Sequence, residues 1–230
     1  MTYTTSEKAL TETFLINQSA FFKSLRLSGE TKMEQQQEVN IGYGVTDILY
    51  YQLDRSLLEQ RKKMKVDKID DRAILEMLVK IRSRDSITSK TLDNITKHLS
   101  SYSQDKTISY LIENKFLCYN KKNNCYDVAK KYIPRFDRLI AIELKLKNWS
   151  RALFQAQRYN LVSDYSFVAL PTDFIKPALR NLDDFKNLNV GLIEIFSDNV
   201  RIVHKPKRNS VKYRSDVMIA YTLENLIAKN

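Results

Sequence analysis

The stretch that decides the fold is RLIAIELKL, residues 138–146, in which apolar side chains dominate. Such a run predicts a buried strand. Side chains two residues apart on a strand point to the same face, so Glu143 and Lys145 emerge side by side from this apolar segment. The pair is either an ion pair at the rim of a sheet or part of a site.

A second strand of similar character, predicted at about residues 45–52, carries Asp47 just after a bend that contains glycine. An acidic residue in this position, combined with a later Glu-x-Lys strand, can hold one or two Mg²⁺ ions through carboxylates. The lysine then lies beside the attacking water or the scissile phosphate. Magnesium prefers oxygen ligands, which suits a chain with only two cysteines and two histidines. The pattern therefore predicts phosphodiester hydrolysis.

Together these segments resemble the PD-(D/E)XK nuclease superfamily. Gly-Val-Thr-Asp at 44–47 matches the metal-binding Asp motif of that family, with Thr46 in place of the usual proline. Glu143-Leu144-Lys145 matches the E-x-K motif. The resemblance covers roughly residues 6–54 and 136–205.

A third motif lies ten residues beyond the E-x-K lysine. Gln155-Ala-Gln-Arg-Tyr159 matches the Q-x-x-x-Y motif of the RecB-type branch, which follows the E-x-K strand on a helix. Gln155 and Tyr159 are one helical turn apart and can face the strand ends together. The resemblance implies that they orient the lysine or the DNA strand. The alternative is that Tyr159 packs in the core and Gln155 lies in solvent.

The resemblance implies a Mg²⁺-dependent deoxyribonuclease, most simply an endonuclease, with Mn²⁺ as the alternative ion. Asp47 and Glu143 would bind the metal, helped by the main-chain carbonyl of Leu144. Lys145 would position or activate water and stabilise charge on the phosphate.

Two further carboxylates are weaker candidates. Glu12 on the first predicted helix and Glu38 at the start of the first predicted strand could each add an acidic group, as this superfamily sometimes does from its first helix. Each is otherwise a solvated surface carboxylate.

Hydrophobic periodicity predicts the remaining elements of the core. They are a helix at 6–27, two strands within 38–53, the strand at 138–146, a helix at 149–162, a strand at 165–171, a short helix at 174–181, strands at 190–196 and 200–205, and a helix at 215–229. We expect an α/β fold with a restriction-endonuclease-like mixed sheet flanked by helices. Residues 1–54 and 136–230 would form this core, interrupted by an insert at 55–135.

The insert resembles a winged helix-turn-helix domain. Three short amphipathic helices are predicted at 70–82, 88–99 and 104–114, and two short strands joined by a basic hairpin follow them. The third helix would contact the major groove, and lysines of the hairpin would contact phosphate. The predicted DNA-binding residues are Ser103, Gln104, Lys106, Thr107 and Tyr110 on the helix, with Lys121 and Lys122 in the wing. The alternative is a winged helix that binds protein and has a solvated basic face.

Charge supports a polyanionic partner. The 230 residues include 38 Lys and Arg against 27 Asp and Glu, a formal net charge of +11. Residues 1–54 carry −3, residues 55–135 carry +9 and residues 136–230 carry +5. The insert is the electrostatic centre. A later basic segment, with Lys205, Lys207, Arg208, Lys212 and Arg214, either extends the phosphate-binding surface or is a solvated loop.

Composition also limits the class of protein. With no long apolar run, we expect a cytoplasmic protein that has no membrane partner. Double-stranded DNA is the expected partner, with a homodimer or a protein partner as further options. Two alternatives from other classes remain: a non-catalytic DNA-binding regulator on a nuclease-like scaffold, and an adaptor whose winged helix binds protein.

Overall fold

The computed structural model describes residues 6–25, 33–210 and 214–227. The helices are α1 (Glu7–Ile16), α2 (Gln18–Leu25), α3 (Arg55–Lys63), α4 (Arg72–Ile81), α5 (Ser89–Thr96), α6 (Ser101–Glu113), α7 (Trp149–Tyr159), α8 (Lys176–Arg180), α9 (Leu182–Asn187) and α10 (Asp216–Ile227), with a 3-10 turn at Thr172–Phe174. Within these described ranges, no helix combines the length and the hydropathy that a bilayer span requires.

The strands form two sheets. They are β1 (Glu34–Asn40), β2 (Val45–Leu53), β3 (Ser86–Ile87), β4 (Leu117–Asn120), β5 (Cys125–Val128), β6 (Phe136–Leu144), β7 (Tyr165–Pro171), β8 (Gly191–Ile195) and β9 (Val200–His204). Within the described part of the chain, the larger sheet has the order β1-β2-β6-β7-β8-β9 and the smaller one the order β3-β5-β4.

The chain divides into two compact units, and the first consists of residues Met1–Gln52 and Phe136–Ser215. Its sheet is mixed: β6, β7 and β8 run parallel, whereas β1 pairs antiparallel with β2 and β9 antiparallel with β8. The expected α/β class, with a mixed six-stranded sheet flanked by helices, is confirmed.

One face of the large sheet is covered by the first two helices. Leu10 and Phe14 of α1 and Phe21 of α2 pack with Ile142 and Phe167 of the strands, and all five side chains are fully buried. Each such side chain contributes about 1.5–3 kcal/mol on burial, so this layer anchors β6 against the helices. On α7, the side chains of Ala152, Leu153, Ala156 and Tyr159 are buried.

The single helix predicted over residues 6–27 is wrong, since α1 ends before Asn17 and α2 begins at Gln18. The Asn17 side chain donates to the carbonyl of Thr13 at 3.0 Å, a local bond by which asparagine competes with helix continuation. Ser6 caps α1 and accepts from the amide of Ala9. Residues 26 and 27 lie outside the described ranges.

The second unit consists of residues Leu53–Arg135 and Asp216–Asn230. Its apolar core joins α4, α6 and the small sheet through Leu75, Leu78, Leu111 and Phe116, among others. Two elements were not predicted from the sequence: α3, which Asp54 caps, and the two-residue strand β3.

The assignment of residues 216–230 to the same body as 136–215 is wrong, because α10 belongs to the second unit. The buried carboxylate of Glu224 on α10 accepts from Arg61 Nε at 3.0 Å, from Tyr132 Oη at 2.9 Å and from the amide of Ile69 at 2.9 Å. Ala220 of the same helix lies in the core of that unit. A buried carboxylate needs such partners, and they are located in the insert.

Candidate active site

The E-x-K segment lies at the carboxyl end of β6. Ile142 and Leu144 point into the core beneath α1 and α2, so the alternating Glu143 points to the opposite face. Glu143 is only 1% exposed, and its Oε1 is 3.2 Å from Nζ of Lys145. The amide of Lys145 donates to the carbonyl of Ala169, which extends the pairing with β7 by one residue. The expected side-by-side placement of Glu143 and Lys145 is present.

Asp47 is brought to this segment by the pairing of β2 and β6. Its Oδ2 accepts a hydrogen bond from the amide of Leu144 at 2.6 Å. Thr46 Oγ1 lies 3.0 Å from the carbonyl of Ile142, and the ring of Tyr51 contacts that of Phe136 at the other end of the strands. The two strands therefore run antiparallel.

Thr46 has a role that the sequence did not indicate. Its side chain is fully buried. Its hydroxyl links β2 to the main chain of β6 one residue before Glu143. A buried hydroxyl with such a partner holds the two acidic residues in register, which a proline ring could not do by hydrogen bonding.

The bend before Asp47 depends on glycine. Gly42 and Gly44 have φ values of 86° and 151°, which L side chains rarely adopt. The bend leaves the carbonyl of Val45 2.7 Å from the hydroxyl of Tyr159. The glycines noted in the sequence thus place the start of β2 against α7.

Tyr159 joins α7 to the acidic pair. Its hydroxyl is 2.7 Å from Oε2 of Glu143 and 2.7 Å from the carbonyl oxygen of Val45. A phenol has one proton to donate, and both neighbours are acceptors when Glu143 is ionised. Tyr159 is fully buried, so it both packs in the core, as the alternative interpretation expected, and contacts the site.

Gln155 lies one turn earlier on α7, half-buried. Among the described residues, its Oε1 is buried and has no hydrogen-bond partner. No hydrogen bond is found from Gln155 to Asp47, Glu143 or Lys145 within that part of the chain. Its predicted role at the site stays a prediction.

Burial and mutual repulsion shape the titration of the acidic pair. Burial raises the pKa of Asp47 above its ordinary value, although the amide of Leu144 and the charge of Lys145 oppose this. Burial, followed by the negative charge of Asp47, raises the pKa of Glu143 against the effects of Tyr159 and Lys145. Burial alone would lower the pKa of Lys145, but Asp47, Glu143 and Glu7 together raise it. The site therefore holds two carboxylates that are destabilised in their charged forms.

Glu7, on the first turn of α1, is a site residue that sequence reasoning missed. Its Oε2 is 3.3 Å from Nζ of Lys145. Glu38 has a left-handed φ of 52° and lies between Gln37 and Val39, which pair with Ile48 and Thr46 on either side of Asp47. Both carboxylates raise the pKa of Asp47. In the sequence, Glu7 is recognisable only as a residue at the start of an amphipathic helix. In the structure, the apolar face of that helix covers the strand of Glu143.

These acidic groups border one cavity of ≈ 400 Å³ beside the strand ends. Its lining includes Glu7, Glu12, Glu38, Asp47 and Leu144. Glu12 and Glu38, the two weaker candidates, both line this cavity, and both are exposed to solvent.

The donor set suits a hard divalent cation. Asp47 and Glu143 supply carboxylate oxygens that repel each other, and Leu144, whose carbonyl is the third candidate ligand, directly follows Glu143 at the end of β6. Among the described residues, no three His, Cys, Asp or Glu side chains form a group that could hold a metal by themselves. Magnesium needs few protein ligands and keeps several waters, so two carboxylates and a carbonyl fit it.

The predicted DNA-binding residues of α6 do not share one exposed face. Thr107 is 1% exposed, so its predicted contact with DNA is wrong: it lies one turn before buried Leu111 and faces the core with it. Tyr110 stacks on buried Phe116, with ring centroids 6.4 Å apart. Lys106 is exposed, but its Nζ lies 2.7 Å from Oδ2 of Asp71.

Ser103 and Gln104 are half-buried at the start of α6. Gln104 Nε2 is 3.5 Å from Oδ1 of Asp93, at the limit of a hydrogen bond. Lys121 and Lys122 are exposed in the turn between β4 and β5, as the hairpin prediction requires. The wing lysines are therefore accessible, whereas much of the predicted helix face is occupied by internal contacts.

No family model and no curated protein matches the chain. Among solved structures, it is similar to a protein of unknown function from Silicibacter pomeroyi, with 16% identity and a TM-score of 0.29 over 40% of this chain. The matched region spans 57% of that protein's length.

Proposed function

We propose that this protein is a Mg²⁺-dependent deoxyribonuclease, acting as an endonuclease, with a PD-(D/E)XK core of the RecB-like type. The observation that carries the proposal is the convergence of Asp47, Glu143 and Lys145 at one sheet edge, with Tyr159 bonded to Glu143. Asp47 lies 96 positions before Glu143 in the chain, yet the two motifs meet at this point. Chance placement of a surface Glu-x-Lys pair does not account for that proximity.

The order of elements supports the restriction-endonuclease-like assignment. A helix, an antiparallel strand pair with Asp47 on its second member, the E-x-K strand, a crossover helix with Q-x-x-x-Y and a parallel strand follow one another as α1, β1, β2, β6, α7 and β7. This is the order that the sequence resemblance implies.

Each residue has a distinct task in the proposed reaction. Asp47, Glu143 and the Leu144 carbonyl would hold Mg²⁺, which would supply Lewis-acid stabilisation of charge on the phosphate. Lys145 would hold the attacking water and donate to the developing negative charge. Tyr159 would keep the Glu143 carboxylate oriented through its hydroxyl. Gln155 would contact the lysine or the DNA strand once substrate is bound.

The second unit supports a winged-helix assignment. Its elements α4, β3, α5, α6, β4 and β5, with the sheet order β3-β5-β4, have the order of a winged helix-turn-helix. On this proposal, α6 lies in the major groove and the exposed Lys121 and Lys122 contact phosphate.

A second candidate function for this unit, binding of a protein partner, is favoured by the exposed face of α6. Tyr102 is 80% exposed and Ile112 is 41% exposed on this helix. Asp105 and Glu113 are exposed beside them, and Lys106 is paired with Asp71. This face is neither basic nor wholly polar, and exposed aromatic residues are enriched where proteins bind each other.

Cleavage assays test the main proposal. Plasmid and linear DNA are incubated with the wild-type protein in Mg²⁺ and in EDTA, next to Glu143→Gln and Asp47→Asn. We expect cutting by the wild type in Mg²⁺ only, none by the two variants, and wild-type cutting by the control Glu113→Gln. Equal cutting by the site variants would overturn the site assignment, and DNA binding without cutting by the wild type would identify a non-catalytic regulator.

A further inference from the structure

A basic cavity lies in the first unit, away from the acidic site. It has a volume of ≈ 620 Å³, and four cationic side chains line it: Lys186, Lys205, Lys207 and Arg208. Among the described residues, no Asp or Glu is part of the lining. A cavity of this size accommodates a small ligand, and its charge selects an anion.

The cavity lies near the amino end of β8, whereas Lys145 lies at the carboxyl end of the parallel strands. His204, which lines it, ends β9 and pairs with Leu192 near the start of β8. Strands β6, β7 and β8 are parallel, so their carboxyl ends all lie on the side of the sheet where Lys145 is found. The basic cavity is therefore separate from the proposed catalytic centre.

The frame of the cavity is built from neutral amides. Asn189 Oδ1 accepts from the amide of Lys207 at 2.9 Å, and Asn189 Nδ2 donates to the carbonyl of Lys207 at 3.0 Å. Asn209 donates to Asn160 and to the carbonyl of Ser163 at 3.1 and 3.0 Å. These bonds hold an extended segment in place without adding negative charge to the cavity.

The partners of the cations leave positive charge for a ligand. Lys205 donates to the carbonyl of Leu25, a neutral group, and the ammonium of Lys207 has no partner among the described residues. Lys186 pairs with Asp183, but that carboxylate is 85% exposed and screened by solvent. Arg208 bonds to buried Asp164, as does Arg214. Burial and the charge of Lys186 lower the pKa of His204, which is consistent with a positive field at the cavity.

We propose that this cavity binds a compact polyphosphate group, such as the triphosphate of a nucleotide. Phosphate oxygens accept several charge-assisted hydrogen bonds at once, which lysine ammonium groups and Arg208 supply. The concave shape and the amide-braced frame favour a small anion over duplex DNA, whose backbone binds along extended basic surfaces. This inference is independent of the proposed nuclease activity, since it concerns another edge of the sheet.

Binding measurements on the full chain in EDTA test the inference. Inorganic tripolyphosphate, ATP, adenosine and a short duplex DNA are titrated by calorimetry into the wild type, Lys207→Gln, Lys186→Gln and the control Lys176→Gln, which removes an exposed lysine outside the cavity. We expect saturable binding of tripolyphosphate and ATP, no binding of adenosine, about tenfold weaker binding in each cavity variant and no change in the control. Thermal unfolding without ligand checks that every variant is folded.

Three outcomes would overturn the proposal. They are the absence of saturable binding to the wild type, equal affinity in the cavity variants, and an effect of the variants on duplex DNA alone. The last result would identify the cavity as part of a nucleic-acid surface. None of these readouts involves cleavage, so failure of the inference and failure of the nuclease proposal are distinguishable.

Discussion

The hydroxyl of Tyr159 lies 2.7 Å from Oε2 of Glu143, and this contact joins helix α7 to the acidic end of strand β6. Through the same hydroxyl, α7 also meets the start of β2 at the carbonyl of Val45. One side chain thus links the three elements that carry the candidate motifs.

Tyr159→Phe should lower both stability and cleavage. The change removes the one hydroxyl that the buried Glu143 carboxylate and the partly buried Val45 carbonyl share, and we expect a loss of about 1–3 kcal/mol in the free energy of unfolding. Tyr165→Phe on β7 is the matched control, because the Tyr165 hydroxyl has no hydrogen bond within the described part of the chain. Urea denaturation measures the free energy of unfolding of the two variants, and a DNA cleavage assay measures their activity. Equal stability of Tyr159→Phe and the wild type would contradict the role of the hydroxyl.

Asp47→Asn should stabilise the protein at neutral and alkaline pH while abolishing cleavage. The folded-state pKa of Asp47 is raised above the ordinary 3.8, so the wild type loses stability as pH rises from 3.8 through the folded value. The amide keeps an acceptor for the Leu144 amide but carries no charge. We expect a gain of about 0.5–2 kcal/mol at pH 8 that disappears toward pH 3.8.

The check is urea denaturation at several pH values, with Asp198→Asn as the control on an exposed turn. A gain that is the same at all pH values, or a loss at pH 8, would show that the charge of Asp47 is not destabilising in the folded protein.

Magnesium should stabilise the wild type against thermal unfolding. A ligand that binds only the folded state at 100 times its Kd contributes about 2.7 kcal/mol. Asp47→Asn and Glu143→Gln should lose this increment, whereas Glu113→Gln, on the surface of the other unit, should retain it. If the shift in Tm persists in both site variants, Mg²⁺ binds elsewhere.

The wing lysines should control the salt dependence of DNA binding. Replacing Lys121 and Lys122 together by Ala should reduce the slope of log K against log salt by about 1.8, since each phosphate contact accounts for about 0.9. Lys106→Ala should change the slope less, because Lys106 is already paired with Asp71. Gel-shift titrations at several salt concentrations measure the slopes, and no change in the double variant would favour the protein-binding role of the unit.

Glu224→Ala should unfold the second unit preferentially. The change leaves Arg61 buried without its carboxylate partner, and removal of one member of a buried pair costs about 3–5 kcal/mol. Hydrogen exchange should show faster exchange in α3, α4 and α10, while β6 and β7 keep their protection. Uniform loss of protection across both units would indicate a single cooperative body instead.

Sequence patterns alone determined the elements that depend on local chemistry. The apolar run at 138–146 identified β6, the alternation along it put Glu143 and Lys145 on one face, and the glycines marked the bend before Asp47. These features follow from the two-residue period of a strand and from the steric freedom of glycine, both of which act within a few residues.

Only the tertiary structure decided which distant groups share an environment. Nothing local to Glu7 indicates its contact with Lys145, and nothing local to Glu224 indicates that α10 packs with the insert. Thr107 looks like any polar helix residue, yet the rotation of α6 about its axis, set by packing of Leu111, buries it. Burial and long-range pairing depend on contacts between segments far apart in the chain, and a local pattern does not specify them.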